Sequence, residues 1–496
     1  MEYLSEAFGL LFHWSNFIWM NIGLLIGIVF GAIPGLTVIL AIVLFLPFTY
    51  TLGPIQSFMF LLGIYCAGGY GGSISAILIH TPGTPHATAT MLDGYPLAKR
   101  GLAQKAMNIA LQASTFGGFI SAFSLLFFAP QVAKLAQKMG TPEYFLVCLF
   151  GLTIIAGVSG KSLIKGIIAG CFGLLVSAVG IDPMTGSTRY IFNNINLYSG
   201  FDLVICLIGL FALNEILAKS KREEQVHQVG EIGKGNGKIS KAEYKRMALP
   251  AFLSSIIGVI IGIIPGTGMS MASFFSYNMA KNISKHPEEF GDGSVEGIAA
   301  AETANNAVTG ATLIPLLTMG IPGDGCVAIM LGALMINGLT PGPNLFKEHG
   351  AVMYAIMIGL LFVNLFMFIQ GKYLTRLFAK VINVPVSILT PIIVMFCFAG
   401  AFSVNASTFD IGTTIVFAVV SYILNRLDFP TIPILLGLVL GDLTEENFRR
   451  SLILSDGDWG IFASSPVCIA FLILLAGTLA LILYGKWKEN SKKETV

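Results

Sequence analysis

Residues Phe17 to Phe48 read FIWMNIGLLIGIVFGAIPGLTVILAIVLFLPF, 32 residues without a charge. As one α-helix rising about 1.5 Å per residue, this run would reach about 48 Å, well past the roughly 30 Å hydrocarbon core of a bilayer. It must tilt steeply or break. Pro34-Gly35 is the natural break, because proline lacks a backbone donor and strains the preceding turn, and glycine takes dihedrals that other residues avoid. A membrane helix interrupted there exposes main-chain N–H and C=O groups, which is tolerable only against protein, a cavity or a bound ligand.

Working outward, the same design returns in the second half. Gly27-Ile-Val-Phe-Gly31-Ala-Ile-Pro34-Gly35 is answered by Gly258-Val-Ile-Ile-Gly262-Ile-Ile-Pro265-Gly266, and His80-Thr81-Pro82-Gly83-Thr84-Pro85 by Gly320-Ile321-Pro322-Gly323-Asp324-Gly325. The order is preserved, with 48 residues between the prolines in one half and 57 in the other. The pair of echoes predicts an internal duplication with helices broken at four Pro-Gly steps.

The rest of the chain has the matching composition. Of 496 residues, 55% are hydrophobic and 11% charged, and the mean hydropathy is +0.79, whereas soluble domains carry about 25% charge. Ala7–Leu92, Met247–Ala280 and Val381–Phe409 contain no Asp, Glu, Lys or Arg. Continuous apolar runs of this kind exclude a transmembrane β-barrel, which would show short alternating segments. The expected fold is an all-α polytopic membrane protein of about ten to twelve transmembrane helices in two homologous halves. The first residues carry no basic group and no small-residue cleavage site, so no removed signal peptide is expected. The seven cysteines are scattered in apolar surroundings and read as small buried hydrophobes.

A net charge of +2 points to no nucleic-acid partner. Charge placement divides the chain into an N-terminal transmembrane repeat (1–218), a polar linker (219–246) and a C-terminal repeat with a basic tail (247–496). The linker holds eight Lys or Arg against four Glu, with Gly230, Gly233, Gly235 and Gly237. Positive-inside bias places linker and tail in the cytoplasm and leaves the side of the N-terminus open.

Small or hydroxylated residues follow the Pro-Gly steps. The candidate substrate-binding set is Pro34, Gly35 and Thr37; Pro82, Gly83 and Thr84; Pro265, Gly266, Gly268 and Ser270; and Pro322 with Gly323. Freed amides at helix N-termini suit carboxylates without a buried arginine. Ser73 and Ser75 join the set after the glycines flanking Tyr70, and they share a face only if that stretch is extended. Tight helix packing explains the same glycines. No Gly-Lys-Ser or Gly-Lys-Thr follows these glycines directly, so they indicate no nucleotide loop. Glu302, Asn305, Asn306 and Thr309 fit one helical stripe whose oxygens can hold a sodium ion or bond across helices. Asp324 is the one carboxylate between Thr303 and Phe346, expensive in apolar sequence unless it pairs, binds a cation, takes a proton or faces water. These five form the candidate ion-coupling set, with sodium as the only metal and no organic cofactor expected. Asp93-Gly94-Tyr95-Pro96, Asp182-Pro183 and Gly441-Asp442 with Glu445-Glu446 read as capping turns at membrane edges, the last, followed by Arg449-Arg450, open also to an interfacial ion-pair network. No hydrolase or metalloprotease motif occurs, so no enzyme is expected.

The residues resemble the large membrane subunit of tripartite tricarboxylate transporters. Matching segments include Gly31-Ala-Ile-Pro-Gly-Leu36, Tyr70-Gly-Gly-Ser-Ile-Ser75 through Pro82-Gly83, Asp93-Gly94-Tyr95-Pro96, Asp182-Pro183, Ala301-Glu-Thr-Ala-Asn-Asn-Ala307, Gly320-Ile-Pro-Gly323 and Gly338-Leu-Thr-Pro-Gly-Pro343. The resemblance departs at Thr84-Pro85-His86, where an acidic residue is frequent, and at Asp324, where a small residue is usual. It implies a subunit of a secondary symporter in the bacterial cytoplasmic (inner) membrane that imports a tricarboxylate or related carboxylate with sodium or protons by alternating access. It also implies a small membrane subunit and an extracytoplasmic solute-binding protein as partners. A passive anion channel or facilitator is the alternative, followed by a non-transporting scaffold subunit.

Overall fold

The computed structural model describes residues 2–158, 162–219, 237–382 and 384–493; the linker residues 220–236, with Gly230, Gly233 and Gly235, lie outside the described residues. The first half runs through α1 (Glu2–Leu11), α2 (Trp14–Ala32), α3 (Val38–Phe45), α4 (Pro54–Ile79), α5 (Ala87–Leu97), α6 (Ala103–Ala136), α7 (Thr141–Val158), α8 (Leu163–Ser177), α9 (Leu203–Leu207) and α10 (Asn214–Lys219). The second half runs through α11 (Lys241–Ile263), α12 (Gly268–Ile283), α13 (Val295–Ala311), α14 (Leu313–Met319), α15 (Gly325–Ile336), α16 (Leu345–Glu348), α17 (Gly350–Val381), α18 (Val386–Asn405), α19 (Thr408–Arg426), α20 (Thr431–Leu454) and α21 (Pro466–Lys493). Among the described residues, 7 helices are long and apolar enough to cross a membrane, and shorter apolar helices accompany them. The protein is an all-α polytopic membrane protein.

The charge-free run of the opening sequence breaks where Pro34 forbids continuation. α2 stops at Ala32, Ile33 turns extended, Gly35 takes φ 95°, and Thr37 starts α3 by accepting the Leu40 N–H at 3.1 Å. The run from Met247 onward breaks in the same way: Ile264 is extended, Gly266 has φ 83°, and α12 begins at Gly268. α11 itself starts at Lys241, inside the segment read as linker, because Ser240 and Glu243 form a capping box.

Each half then packs the helix ahead of its first Pro-Gly step on a later helix through small residues, α2 on α4 and α11 on α13. Glycines on α4 let the α2 backbone close onto it: a Cβ on Gly63 would lie 2.8 Å from the Met20 carbonyl, and one on Gly71 2.6 Å from that of Ile28. On α11, a Cβ on Gly258 would fall 2.6 Å from the Ala304 carbonyl of α13. The residues ending α4 and α14, His80 and Gly320, both sit in the left-handed region, at φ 55° and 76°. The chain then passes through Pro82-Gly83 or Pro322-Gly323 into α5 or α15.

Contacts divide the chain into two compact units, Met1–Ala133 with Glu215–Val404, and Lys134–Asn214 with Asn405–Val496. Both halves of the sequence contribute to each unit. The first unit contains all four Pro-Gly steps, and its core is α4 and α13, the latter buried along its whole length. In the second unit α8 and α20 cross at glycines, where a Cβ on Gly437 would lie 2.8 Å from the Leu174 amide. A short antiparallel pair, Gly180–Ile181 with Thr188–Arg189, follows α8. Beside it, Asp182 accepts from Arg449 at 2.7 Å, and Arg449 and Arg189 both reach Glu445, at 3.0 and 2.7 Å. Asp182 also caps its own turn through the Met184 amide, as the turn reading expects.

Candidate functional site

In each half the second Pro-Gly step packs on the first sequence echo, and in the second half the two steps are bonded directly. In the second half the Gly266 N–H donates to the Gly323 carbonyl at 2.7 Å. In the first, Gly83 lies against the Gly31 carbonyl, with no room for a Cβ, and its N–H reaches the Gly72 carbonyl at 3.3 Å. Gly323 likewise packs on Gly262, whose carbonyl would stand 2.9 Å from an added Cβ. The second sequence echo is therefore seated on the glycine of the first echo in both halves.

Each step delivers the chain into a helix N-terminus: α3 after Gly35, α5 after Gly83, α12 after Gly266 and α15 after Gly323. Two of these ends are closed by the protein's own side chains. Thr37 caps α3 and donates to Glu215 Oε2 at 2.9 Å. Asp324 caps α15, its Oδ1 accepting the Val327 N–H at 2.9 Å while its Oδ2 accepts the Tyr65 hydroxyl. The N-termini of α5 and α12 have no side-chain cap. Near α5, Thr84 Oγ1 is bonded to His86 Nε2 at 2.8 Å, both residues buried. At α12, Gly266, Gly268 and Ser270 are partly exposed, and Thr267 turns its hydroxyl back to Ile261 and Ile264.

The middle of α4 crosses the middle of α13. Tyr65 Oη lies 3.4 Å from Thr312 Oγ1, and Asn305 Nδ2 donates to the Gly69 carbonyl at 3.3 Å. A Cβ on Gly69 would meet Asn306 Oδ1 at 3.7 Å and Asn305 Oδ1 at 3.8 Å. Both oxygens are buried without a hydrogen-bond partner, as is Asn306 Nδ2, so these amides retain bonding capacity over a residue with no side chain. Thr309 donates to the Asn306 carbonyl at 2.8 Å. Glu302 is fully buried, its Oε1 accepting from Thr90 of α5 at 2.5 Å and its Oε2 from Ser114 of α6 at 2.6 Å.

The stripe Glu302, Asn305, Asn306 and Thr309 thus lies on one helix, and Asp324 has a different set of partners. Ser73 and Ser75 do not share a face: that stretch is helical because α4 continues through its glycines, and both hydroxyls donate back into α4, to the Tyr70 and Gly72 carbonyls. The expected turn Asp93-Gly94-Tyr95-Pro96 is helical, since Pro96 falls in the last turn of α5, ahead of Gly101 at φ 81°. Asp93 still works as a cap, at a distance in sequence: its Oδ1 accepts the N–H groups of Gly291, Gly293 and Ser294 ahead of α13. Sequence reading missed Tyr65, Thr90, Ser114 and Thr312. Of these, Tyr65 was within reach of it, being spaced at i, i+4, i+8 with Gly69 and Ser73 on one face of α4.

Broken helices set among long apolar ones, with polar groups at their crossing, define a multi-pass membrane protein. Residues 17–436 match the Tripartite tricarboxylate transporter TctA family, and the chain belongs to that family. It is a subunit of a tricarboxylate transporter system, in a family of transporter subunits and not of enzymes. It is 37% identical over 481 residues to the Uncharacterized 52.8 kDa protein in TAR-I ttuC' 3'region of Agrobacterium vitis, covering 97% of this chain and 95% of that one. It is also 39% identical over 239 residues to the Uncharacterized protein in TAR-II ttuC' 3'region of the same organism, covering 48% of this chain and 98% of that one. No solved structure matches.

Proposed function

We propose that the protein is the transport subunit of a secondary symporter that imports a tricarboxylate or related organic carboxylate by alternating access. The observation that carries this reading is the seating of the second Pro-Gly step on the first echo in each half, Gly83 on Gly31 and Gly323 on Gly262, with no side-chain cap on the N-termini of α5 and α12, all inside one compact unit. At α12 the free N–H groups and the helix dipole favour a carboxylate, whereas at α5 the Ala87 and Thr88 N–H groups already donate to the Thr84 and Pro85 carbonyls and the dipole alone remains. Pro34, Gly35, Pro82, Gly83, Pro265, Gly266, Pro322 and Gly323 shape these turns, and Gly268 and Ser270 stand in the first turn of α12.

The coupling cation, sodium or a proton, is assigned to the α13 stripe. Glu302 supplies the charge, and the unpartnered oxygens of Asn305 and Asn306 supply sodium-type ligands beside Thr309. Neutralising Glu302 as cargo loads would couple the two fluxes. The protein is placed in the bacterial cytoplasmic (inner) membrane with linker and C-terminus in the cytoplasm. A small membrane subunit and an extracytoplasmic solute-binding protein complete the system.

Uptake of labelled carboxylates into vesicles carrying the complete system, under imposed sodium or proton gradients, tests this reading. Accumulation above equilibrium that follows one of the two gradients is the expected result. Uptake that only equilibrates, whatever the gradient, identifies a passive anion facilitator instead.

A further inference from the structure

We infer that the helical hairpin α11–α12 carries a binding surface for an anionic phospholipid, with the headgroup on lysines at the end away from the Pro265-Gly266 turn and the acyl chains along its bulky apolar side. The inference goes beyond the carrier reading and does not depend on the cargo. α11 and α12 pack on each other and on α13. Both ends of the hairpin meet at the start of α13, where Glu296 bonds to Arg246 of α11 and to Ser284, which follows α12. The side facing inward is built from small residues: Ser254, Gly258 and Gly262 on α11, and Ala272, Ser273 and Ser276 on α12, are buried. The other side is the reverse. Leu249, Phe252, Ile256 and Ile260 recur at helical spacing along α11 and are 42–58% exposed, and Phe274 and Phe275 are exposed on α12.

The apolar face of α11 continues at its start into Lys241 and Lys245, and α12 has Lys281 in its last turn, with Lys285 just beyond it; all four are exposed. The acidic groups at this end are matched within the protein. Glu243 pairs with Lys105, Glu289 and Glu296 with Arg246 at 2.6 and 3.4 Å, and Asp292 with Arg100 at 3.4 Å, while Glu288 lies 3.5 Å from His286. Among the described residues, Lys241, Lys245, Lys281 and Lys285 have no ion-pair partner. Four unmatched ammonium groups at the edge of an apolar face complement a phosphodiester that carries acyl chains. From Lys245 to Phe252 the helix rises about 10 Å, so one lipid can place its phosphate at the lysines and its chains on the rings. Lysine suits this edge, because its stem lies on apolar surface while its ammonium stays among polar groups. The same hairpin carries the Pro265-Gly266 step, so a lipid held here steadies an element of the proposed transport site.

Dioctanoyl phosphatidylglycerol, dioctanoyl phosphatidylcholine and glycerol 1-phosphate are titrated against the full chain in neutral detergent, with bound ligand counted by native mass spectrometry and thermal unfolding followed alongside. Wild type is expected to bind phosphatidylglycerol about tenfold or more tightly than phosphatidylcholine, and to melt higher with it. Lys241→Gln with Lys245→Gln, and Lys281→Gln with Lys285→Gln, should each weaken phosphatidylglycerol by about tenfold, whereas the matching arginine pairs should keep it. Phe252→Ala with Phe275→Ala should weaken both lipids and leave the headgroup preference. These side chains are exposed, so every variant should melt as wild type does without lipid. Lys134→Gln with Lys138→Gln removes two exposed lysines elsewhere and should bind as wild type does. Equal affinity for the two lipids overturns the inference, as does an equal loss in the Lys134 and Lys138 variant. Glycerol 1-phosphate binding as tightly as phosphatidylglycerol would make the surface a free-anion site and overturn it too.

Discussion

Glu302 shows how a single residue is made tolerable in the core of a membrane protein. Its two oxygens are each met by a hydroxyl from another helix, Thr90 on one side and Ser114 on the other. Removing one donor leaves a buried carboxylate oxygen unsatisfied, so Ser114→Ala is expected to lower stability by about 1–3 kcal/mol, read as a drop in thermal unfolding in detergent. Glu302→Gln keeps shape and bonding capacity but removes the charge. In vesicles it should abolish gradient-driven accumulation while cargo-for-cargo exchange continues; accumulation like wild type would remove Glu302 from the coupling role. The stripe from Glu302 to Thr309 was legible in the sequence because its members lie on one helix, where spacing alone decides the face. Thr90 and Ser114 were not, because each belongs to a different helix, 212 and 188 residues from Glu302.

At the scale of the element, the glycines separate into those that set a turn and those that set a distance. Gly35 and Gly266 lie at φ 95° and 83°, where a side chain is strained, so Gly35→Ala or Gly266→Ala should cost about 1–2 kcal/mol each and slow uptake together with stability. Gly27 needs contact and not conformation: a Cβ there would stand 3.0 Å from the Gly68 amide and closer still to the Ile64 carbonyl. Gly27→Ala should push α2 off α4 and destabilise by about 1–3 kcal/mol. Gly9, in α1, has open space around it, and Gly9→Ala should stabilise by about 0.5–1 kcal/mol. Melting shifts of the same sign and size in these two variants would refute the distinction. The breaks themselves could be read from the chain, since a proline in an overlong apolar run forces one. Which broken ends keep their amides free could not, because a cap such as Asp324 is recognised only once its carboxylate is seen on the Val327 amide.

On the scale of the whole molecule, duplication and compactness divide the chain differently. The sequence repeats by halves, but each compact unit takes segments from both. In the second unit the ion pairs around Asp182 join the loop after α8 to α20. The Arg449 guanidinium, with the Met184 amide, holds the buried Asp182 carboxyl well below the usual carboxylate range. A carboxyl whose pKa is lower in the folded state stabilises the fold above its unfolded value of about 3.9, and that contribution is lost as pH falls through the folded value. Thermal stability should therefore hold from neutral pH to about 5 and decline below about 4, and Asp182→Asn should melt lower at pH 7 with a flatter decline. A variant as pH-sensitive as wild type would show that the acid response resides elsewhere.

What the sequence determined by itself was local: apolar runs long enough for the bilayer, the places where proline interrupts them, and the echo of those interruptions in two halves. Each is fixed by neighbouring residues and needs no knowledge of the remote chain. The tertiary structure decided which interrupted ends face one another, which are stoppered by the protein's own oxygens, and which hydroxyls surround Glu302. Those outcomes depend on groups brought together by packing, and backbone spacing along one segment carries no record of the side chains that folding sets against it.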